Sequence, residues 1–291
     1  MVKKIGKTRL QYFCGEAPIV NPETGLIYIV DTGNSVCTEF NPDTREGREI
    51  SIDGNFQCLA VRKSGGWLAV TEDEILICSD DLKTEKSLGN PLSGSENMLL
   101  GDGTVGPDGC FYVGAYNCDD LYSKDGCIFR VNKDLSIEKV LDNLALPNGM
   151  AFSSDNKKFY LTEMFGNCIW SFDFDRNSGA FSKRTKFADV PEQKGFPDGL
   201  IIDAEEGLWS AHWAGFCITR YNKDGAVDAV IDIPVPTPTC MAFGGKNMTE
   251  LFVTTARKGL SEKELADHPD SGDLFIFETD VKGRTELLFE G

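Results

Sequence analysis

Glu16, Asn148 and Asp198 hold the same place in a six-residue pattern that recurs six times. The copies read EAPIVN from Glu16, QCLAVR from Gln57, GDGTVG from Gly101, NGMAFS from Asn148, DGLIID from Asp198 and TCMAFG from Thr239. Two carboxylates and an amide at equivalent positions offer hard oxygen donors. Ca²⁺ and Mg²⁺ take such ligands, with water filling the remaining positions. Two carboxylates aimed at one point repel each other unless a cation neutralises them. The plainer alternative is that polar residues cap strand ends around a hydrated channel. A second row, Asp31, Glu72, Ala115, Glu163, His212 and Ala256, follows in the next apolar stretch of each copy and places further acids near the first.

The elements that must position these residues follow from the period. Successive copies start about 41 to 50 residues apart, a spacing that marks arrays and propellers. Each copy is followed by a turn and an apolar stretch: LIYIVD at Leu26, WLAVTE at Trp67, CFYVGA at Cys110, KFYLTE at Lys158, GLWSAH at Gly207 and LFVTTA at Leu251. A third strand follows, such as CIFRVNKD or CITRYNKDG, ending in turn-forming Asn, Asp, Gly or Lys. A weaker fourth follows in several units. Three or four short strands per unit predict an all-β, six-bladed β-propeller with a central metal-binding channel. Helices between strands, which an α/β barrel needs, are missing; the best helical stretch is the short SEKELADH from Ser261. A ring of blades closes only as a unit, so residues 1–291 are expected to form one domain. The segment Lys3–Tyr12 and the strand around Leu287 are expected to meet in one blade and close it.

Composition narrows the partners. A net charge of −17 argues against nonspecific nucleic-acid binding and suits solubility. No apolar run approaches the roughly 20 residues that cross a bilayer. The start, MVKKIGKTRLQYF, is basic but lacks an apolar core and a small-residue cleavage site, which argues against a secretory leader and for the cytoplasm. Nine of the ten cysteines, Cys14, Cys37, Cys58, Cys78, Cys110, Cys127, Cys168, Cys217 and Cys240, sit in or beside apolar strands, with no CxxC pair, and read as buried thiols. Cys118, in the AYNCDDLYSKDG loop, is the one expected to be exposed. There is no G-x-S-x-G elbow and no phosphate-cradling glycine loop before a helix. With only His212 and His268, a histidine-rich metal site or triad lacks material. His268 reads as a surface residue, whereas His212 lies close to the channel row.

The motifs CGEAP, LPNGM and FPDGL, with the long stretches LPNGMAFSSDNKKFYLTE, FPDGLIIDAEEGLWSAHWAGF and MAFGGKNMTELFVTTARKGLSEKELADHPDSGDLF, resemble the gluconolactonase/regucalcin (senescence marker protein) family of six-bladed propellers, bacterial sugar-lactone lactonases above all. The resemblance spans nearly the whole chain. It implies one divalent ion at the top of the channel, held by Glu16, Asn148 and Asp198. Calcium is foremost, with zinc, magnesium, manganese or iron as other options. The third blade departs from the family pattern. Where that pattern has R-x-N-D-G, this chain has Leu99, Leu100, Gly101, Asp102 and Gly103, so the substrate-facing Arg and Asn are replaced by Leu99 and Gly101. Asp102, Tyr116, Asn117, Trp213 and Arg257 are the candidates for replacing those contacts.

The function expected from the resemblance is metal-dependent hydrolysis of a sugar lactone or related small lactone to the hydroxy acid, with Asp198 as general base as well as ligand. A hydrolase of phosphotriester-like or other esters, and a propeller that binds a metal or ligand without turnover, are the alternatives. A monomer or small homo-oligomer is expected.

Overall fold

The computed structural model describes residues 2–191 and 194–291, nearly all of them in strands or the turns between them. The strands group into six four-stranded antiparallel sheets, each a blade of a six-bladed β-propeller. Contacts divide the chain into two compact units. One comprises the chain up to Ser51 together with Val190–Thr285; the other comprises Ile52–Asp189 together with Glu286–Gly291.

The first unit holds three blades. Val2–Thr8 is β1. Gly15–Val20, Ile27–Asp31, Val36–Asn41 and Glu46–Ser51 (β2–β5) form one meander. The second unit then supplies Cys58–Val61, Trp67–Val70, Ile75–Cys78 and Thr84–Gly89 (β6–β9). Its next blade is Met98–Val105, Phe111–Asn117, Gly126–Val131 and Ile137–Leu144 (β10–β13). Its third is Pro147–Phe152, Lys158–Glu163, Cys168–Asp175 and Ala180–Asp189 (β14–β17). The chain returns to the first unit with Phe196–Ile202, Leu208–Trp213, Cys217–Tyr221 and Val227–Asp232 (β18–β21). The last blade contains Pro238–Gly244, Glu250–Thr255 and Leu274–Thr279 (β22–β24).

The second strand of each blade is an almost continuous apolar run, because both of its faces are covered: every residue of β3 and of β7 is buried. The outermost strands are polar and exposed, as in β5 and β9. In the first unit, Trp209, Ile218, Phe243, Val253 and Phe275 pack into one core and Ile27, Ile29, Phe40 and Phe252 into another. In the second, Tyr112 packs with Phe152, Phe159 and Phe174. The stretch at Ser261 is a short helix, α1 (Glu262–Asp267). Ser261 caps it, its side chain accepting from the Glu264 N–H while the Glu264 carboxylate accepts from the Ser261 N–H.

One expectation needs correction. The last blade is completed by β1, which pairs antiparallel with β24 from Val2↔Thr279 to Thr8↔Leu274. Leu287 has no part in it. The end of the chain instead joins the second unit, where Phe289, fully buried, bridges in parallel to Arg62. Phe289 alone serves as the plug against the first blade of that unit, bonded through its N–H to the Val61 carbonyl, while Leu287 stays exposed.

Candidate functional site

The residues singled out by the repeat fall on a recurring irregularity in the strands. In five of the six blades the register between first and second strands skips, so that two residues of the first strand face one of the second. Between Leu100 and Gly103 the skipped pair is Gly101 and Asp102; between Pro147 and Met150 it is Asn148 and Gly149. Between Pro197 and Leu200 it is Asp198 and Gly199, and between Pro238 and Met241 it is Thr239 and Cys240. In the blade of β2 the skip comes one residue later, just after Glu16, with Ala17 at φ +43°. A bulge of this kind frees residues from the ladder and re-aims their side chains. The pairing is thus interrupted at, or immediately after, the positions that carry the oxygen donors.

Small residues beside the bulges let neighbouring blades approach. A Cβ on Gly199 would lie 2.5 Å from the Cys240 sulfur, so the glycine after Asp198 is required by the bulge of the next blade. A Cβ on Gly15 would meet the Tyr12 ring at 2.4 Å. The Thr239 hydroxyl donates to the Gly15 carbonyl at 2.6 Å, fixing the backbone just ahead of Glu16. Cys58 and Gly101 make the matching contact in the second unit, sulfur to carbonyl at 3.4 Å.

Within the first unit, Asp198 is 2% exposed and Glu16 partly buried, its Oε2 accepting the Ala17 N–H at 3.0 Å. Both lie close enough to Cys14 to act on its thiol. Burial pushes that thiol well above its ordinary range, the charges of Glu16 and Asp198 add to the effect, and Lys258 opposes it. Trp213 stands at the end of β19 opposite Phe196, two residues ahead of Asp198. The Arg257 and Lys258 N–H groups both donate to the Phe13 carbonyl, at 2.9 and 2.8 Å. In the second unit, Leu99 pairs with Tyr116 across β10 and β11, and a Cβ on Gly101 would sit 3.4 Å from the Tyr116 ring. Asn148 approaches the Met164 sulfur at 4.0 Å. Burial pushes the Asp102 carboxyl up to about 6, partly offset by the Gly103 N–H that it accepts at 2.8 Å. Asn117 is buried and spends its amide on its own loop: it donates to Asp125 at 3.0 Å and accepts the Asp119 and Asp120 N–H groups.

The second row is more structural than its polarity suggests. Asp31 accepts the Phe13 and Cys14 N–H groups at 3.1 and 2.8 Å, tying down the chain ahead of Glu16. Glu163, 1% exposed, is a buried knot. It accepts from the Ala145 N–H at 2.7 Å, the Trp170 indole at 2.5 Å and Arg184 at 3.1 Å, and pairs with Lys124. Burial alone would raise its pKa, yet the Lys124 and backbone donors hold it below the ordinary range. These partners are too distant in sequence for the repeat to announce them.

His212, 1% exposed, has its Nδ1 3.0 Å from the Lys194 carbonyl. A carbonyl only accepts, so Nδ1 carries the proton and Nε2 is a bare acceptor, with no partner among the described residues. Burial pushes its pKa down to about 4, so the ring is neutral. Its place opposite Pro197 puts it beside the Asp198 bulge. Cys118 is the exposed thiol and the other nine are buried. Among the described residues no three His, Cys, Asp or Glu side chains gather where they could hold a metal, so an oxygen-ligand site must also draw on amide, backbone or water oxygens. Among the described residues no helix is long and apolar enough to cross a membrane.

Six antiparallel four-stranded blades make a β-propeller, and in five of them the first strand is interrupted by a bulge, at Asp198 among others. Residues 14–257 match the SMP-30/Gluconolactonase/LRE-like region, and the chain belongs to that family. It is 28% identical to regucalcin of Oryctolagus cuniculus over 284 residues, covering 96% of this chain and 95% of that protein. It is 27% identical to pentonolactonase XacC of Haloferax volcanii, covering 94% and 93%. A solved calcium-binding protein, regucalcin of Agrobacterium tumefaciens, superposes with a TM-score of 0.91 at 24% identity, covering 98% of this chain and 97% of the other. The family and the pentonolactonase relative support lactone hydrolysis.

Proposed function

We propose that this protein is a divalent-metal-dependent lactonase that opens a small lactone ring to the hydroxy acid. The observation that carries the reading is Asp198, a carboxylate 2% exposed in a strand bulge, with a second carboxylate, Glu16, in the same unit and near the same thiol. Such a pair is costly without a cation, and its donors are hard oxygens. The donor set therefore fits a divalent ion. In this reading Glu16, Asn148 and Asp198 hold it, and the description of the Agrobacterium protein as calcium-binding favours Ca²⁺. Such an ion, when bound, polarises the lactone carbonyl and steadies the charge that develops on its oxygen.

The chain's own residues do the rest. Asp198 accepts the proton of the attacking water and passes it to the ring oxygen as the ester bond breaks. Asp102, with its raised pKa, faces the substrate as a donor at mildly acidic pH and an acceptor above it. Leu99 and Gly101 offer no polar contact, which favours lactones with fewer hydroxyls than an aldonolactone. Ten cysteines with no disulfide among them suit a reducing compartment such as the cytoplasm.

The test is acid release from a panel of aldonolactones, simple lactones and organophosphates, using protein stripped with chelator and reloaded with Ca²⁺, Zn²⁺, Mg²⁺ or Mn²⁺. Metal-restored turnover of a lactone is expected. Turnover of organophosphates alone, or metal binding with no turnover, would replace this reading with one of the two alternatives.

A further inference from the structure

A pocket of about 220 Å³ opens in the first unit between the end of β19, the start of β22 and the segment leading into α1. Its walls include Trp213, Phe216, Pro236 and Leu260, with Lys258 and His268 beside them; the one acid of the lining, Glu264, has its carboxylate engaged by the Ser261 N–H and hydroxyl at 2.8 and 2.6 Å. It lies at the end of the blades that carries the carboxylates. Trp213 pairs with Phe196, just before Asp198, and the Lys258 N–H is bonded to Phe13, just before Glu16.

Several features say the pocket is built rather than left over. Phe216 is 40% exposed, yet its backbone is held at φ +56°, as is Ala214 at φ +59°. A bulky residue in the left-handed region is strained, and such strain persists only where surrounding bonds over-determine it. Here the Ile233 N–H donates to the Phe216 carbonyl at 2.7 Å, and the Phe216 N–H reaches the Pro236 carbonyl at 3.3 Å. The ring stands edge-on to His268, 5.2 Å between centroids. Across the pocket the Trp213 ring lies against Gly259, where a Cβ would sit 3.6 Å from its Cζ2. The capping box of α1 steadies the opposite wall. The Lys258 side chain is exposed and makes no hydrogen bond or ion pair among the described residues. Aromatic faces and an unpaired ammonium together suit a flat apolar group that ends in an anion.

We propose that this pocket is a subsite for an aryl or short alkyl arm bearing a carboxylate. Such an arm would be a substituent of the lactone ring, an assignment that rests on the function proposed above. The arm's apolar part lies against Trp213 and Phe216, and its carboxylate meets Lys258. Leu99 and Gly101 remove polar recognition of ring hydroxyls, and this pocket supplies selectivity in its place.

Calorimetric titration of the metal-loaded protein with 3-phenylpropanoate tests the pocket without needing turnover. One-to-one binding is expected, weakened about tenfold or more by Phe216→Asn and by Lys258→Met. Asn tolerates the left-handed backbone and so removes the ring without unfolding the loop. Acetate, which lacks the arm, and 3-phenylpropanol, which lacks the charge, should each bind at least about tenfold more weakly. Absence of binding at millimolar probe, or binding indifferent to both variants, overturns the proposal. The ratio of kcat/KM for an aryl-armed, carboxylate-bearing lactone over its unsubstituted parent should fall about tenfold in Phe216→Asn. If the probe binds through Phe216 and Lys258 but no lactone is opened, the pocket stands and the lactonase reading falls. If lactones are opened but neither variant moves the probe or the ratio, the pocket falls alone.

Discussion

Replacing Asp102 by Asn should stabilise the protein above pH 6 and do little at pH 4. Asp102 sits in the bulge of β10, where burial raises its pKa from 3.8 to about 6. Between those two values the folded protein holds a proton that the unfolded chain has released. Stability therefore falls as pH rises through this window and levels off above it. A tenfold change in proton affinity is worth about 1.4 kcal/mol, so ionised Asp102 costs the native state up to about 3 kcal/mol at neutral pH. The side chain is only partly buried and keeps its bond from the Gly103 N–H, so about 1 to 3 kcal/mol is the expected range. Asn can keep an acceptor for that N–H and never ionises. Urea unfolding of both proteins at pH 4.5 and 7.5, with chelator present, measures the difference. The variant should gain at pH 7.5, and its stability should depend less on pH between 4 and 6. An Asp102→Asn variant no more stable than its parent at pH 7.5, with the same pH slope, would refute the reasoning. Activity should fall in the same variant if Asp102 touches substrate.

Three further outcomes are expected. Asp198→Ala should lower calorimetric affinity for the divalent ion at least about tenfold and abolish lactone hydrolysis, with its far-ultraviolet spectrum unchanged; full retention of metal affinity would remove Asp198 from the ligand set. The double substitution Leu99→Arg, Gly101→Asn should raise kcat/KM for aldonolactones relative to simple lactones by about 10 to 200-fold. A Cβ at Gly101 meets only the Tyr116 ring, at 3.4 Å, so the side chain can be housed. Deleting the chain through Thr8 strips β1 from the last blade and exposes Phe275 and Ile276 along β24; if residues 1–291 fold as one domain, a single unfolding transition should shift downward by several degrees, whereas an unchanged melting curve would show that the strand is dispensable.

The strands were legible because their signal is local. Apolar runs such as Ile27–Val30 and Trp67–Val70, punctuated by Gly, Asn and Asp turns, are sufficient to place them. The capping box at Ser261 was legible for the same reason. The repeat also aligned Gly101, Asn148, Asp198 and Thr239, which the bulges then turned out to share. The bulges themselves left no such mark, because a register skip depends on how a neighbouring blade packs, as Gly199 does on Cys240. Glu163 looked like a channel acid because its partners, Lys124 and Arg184, lie 39 residues before it and 21 after. The partner of the N-terminal strand was misplaced at Leu287 because that stretch is as apolar as a strand should be. What separates it from β24 is the ladder alone, and a ladder between the two ends of a chain has no local signature. Residue type says nothing about which of two adjacent cations lines a cavity, and it is Lys258 that lines the pocket beside Trp213.

The pairing of β1 with β24 also has a meaning during synthesis. β1 leaves the ribosome long before its partner strand, for Val2 waits on Thr279. Joining segments so far apart carries a closure cost of roughly 5 kcal/mol if nothing intervenes. The blades formed meanwhile shorten the effective loop. Until then β24 presents an open edge, and the nascent chain carries an unfinished blade and, far from it in sequence, the strand that completes it. A newly made molecule would thus be most open to capture by a second copy in the interval between release and closure. That interval, rather than the finished propeller, is where chaperones would matter most to this protein.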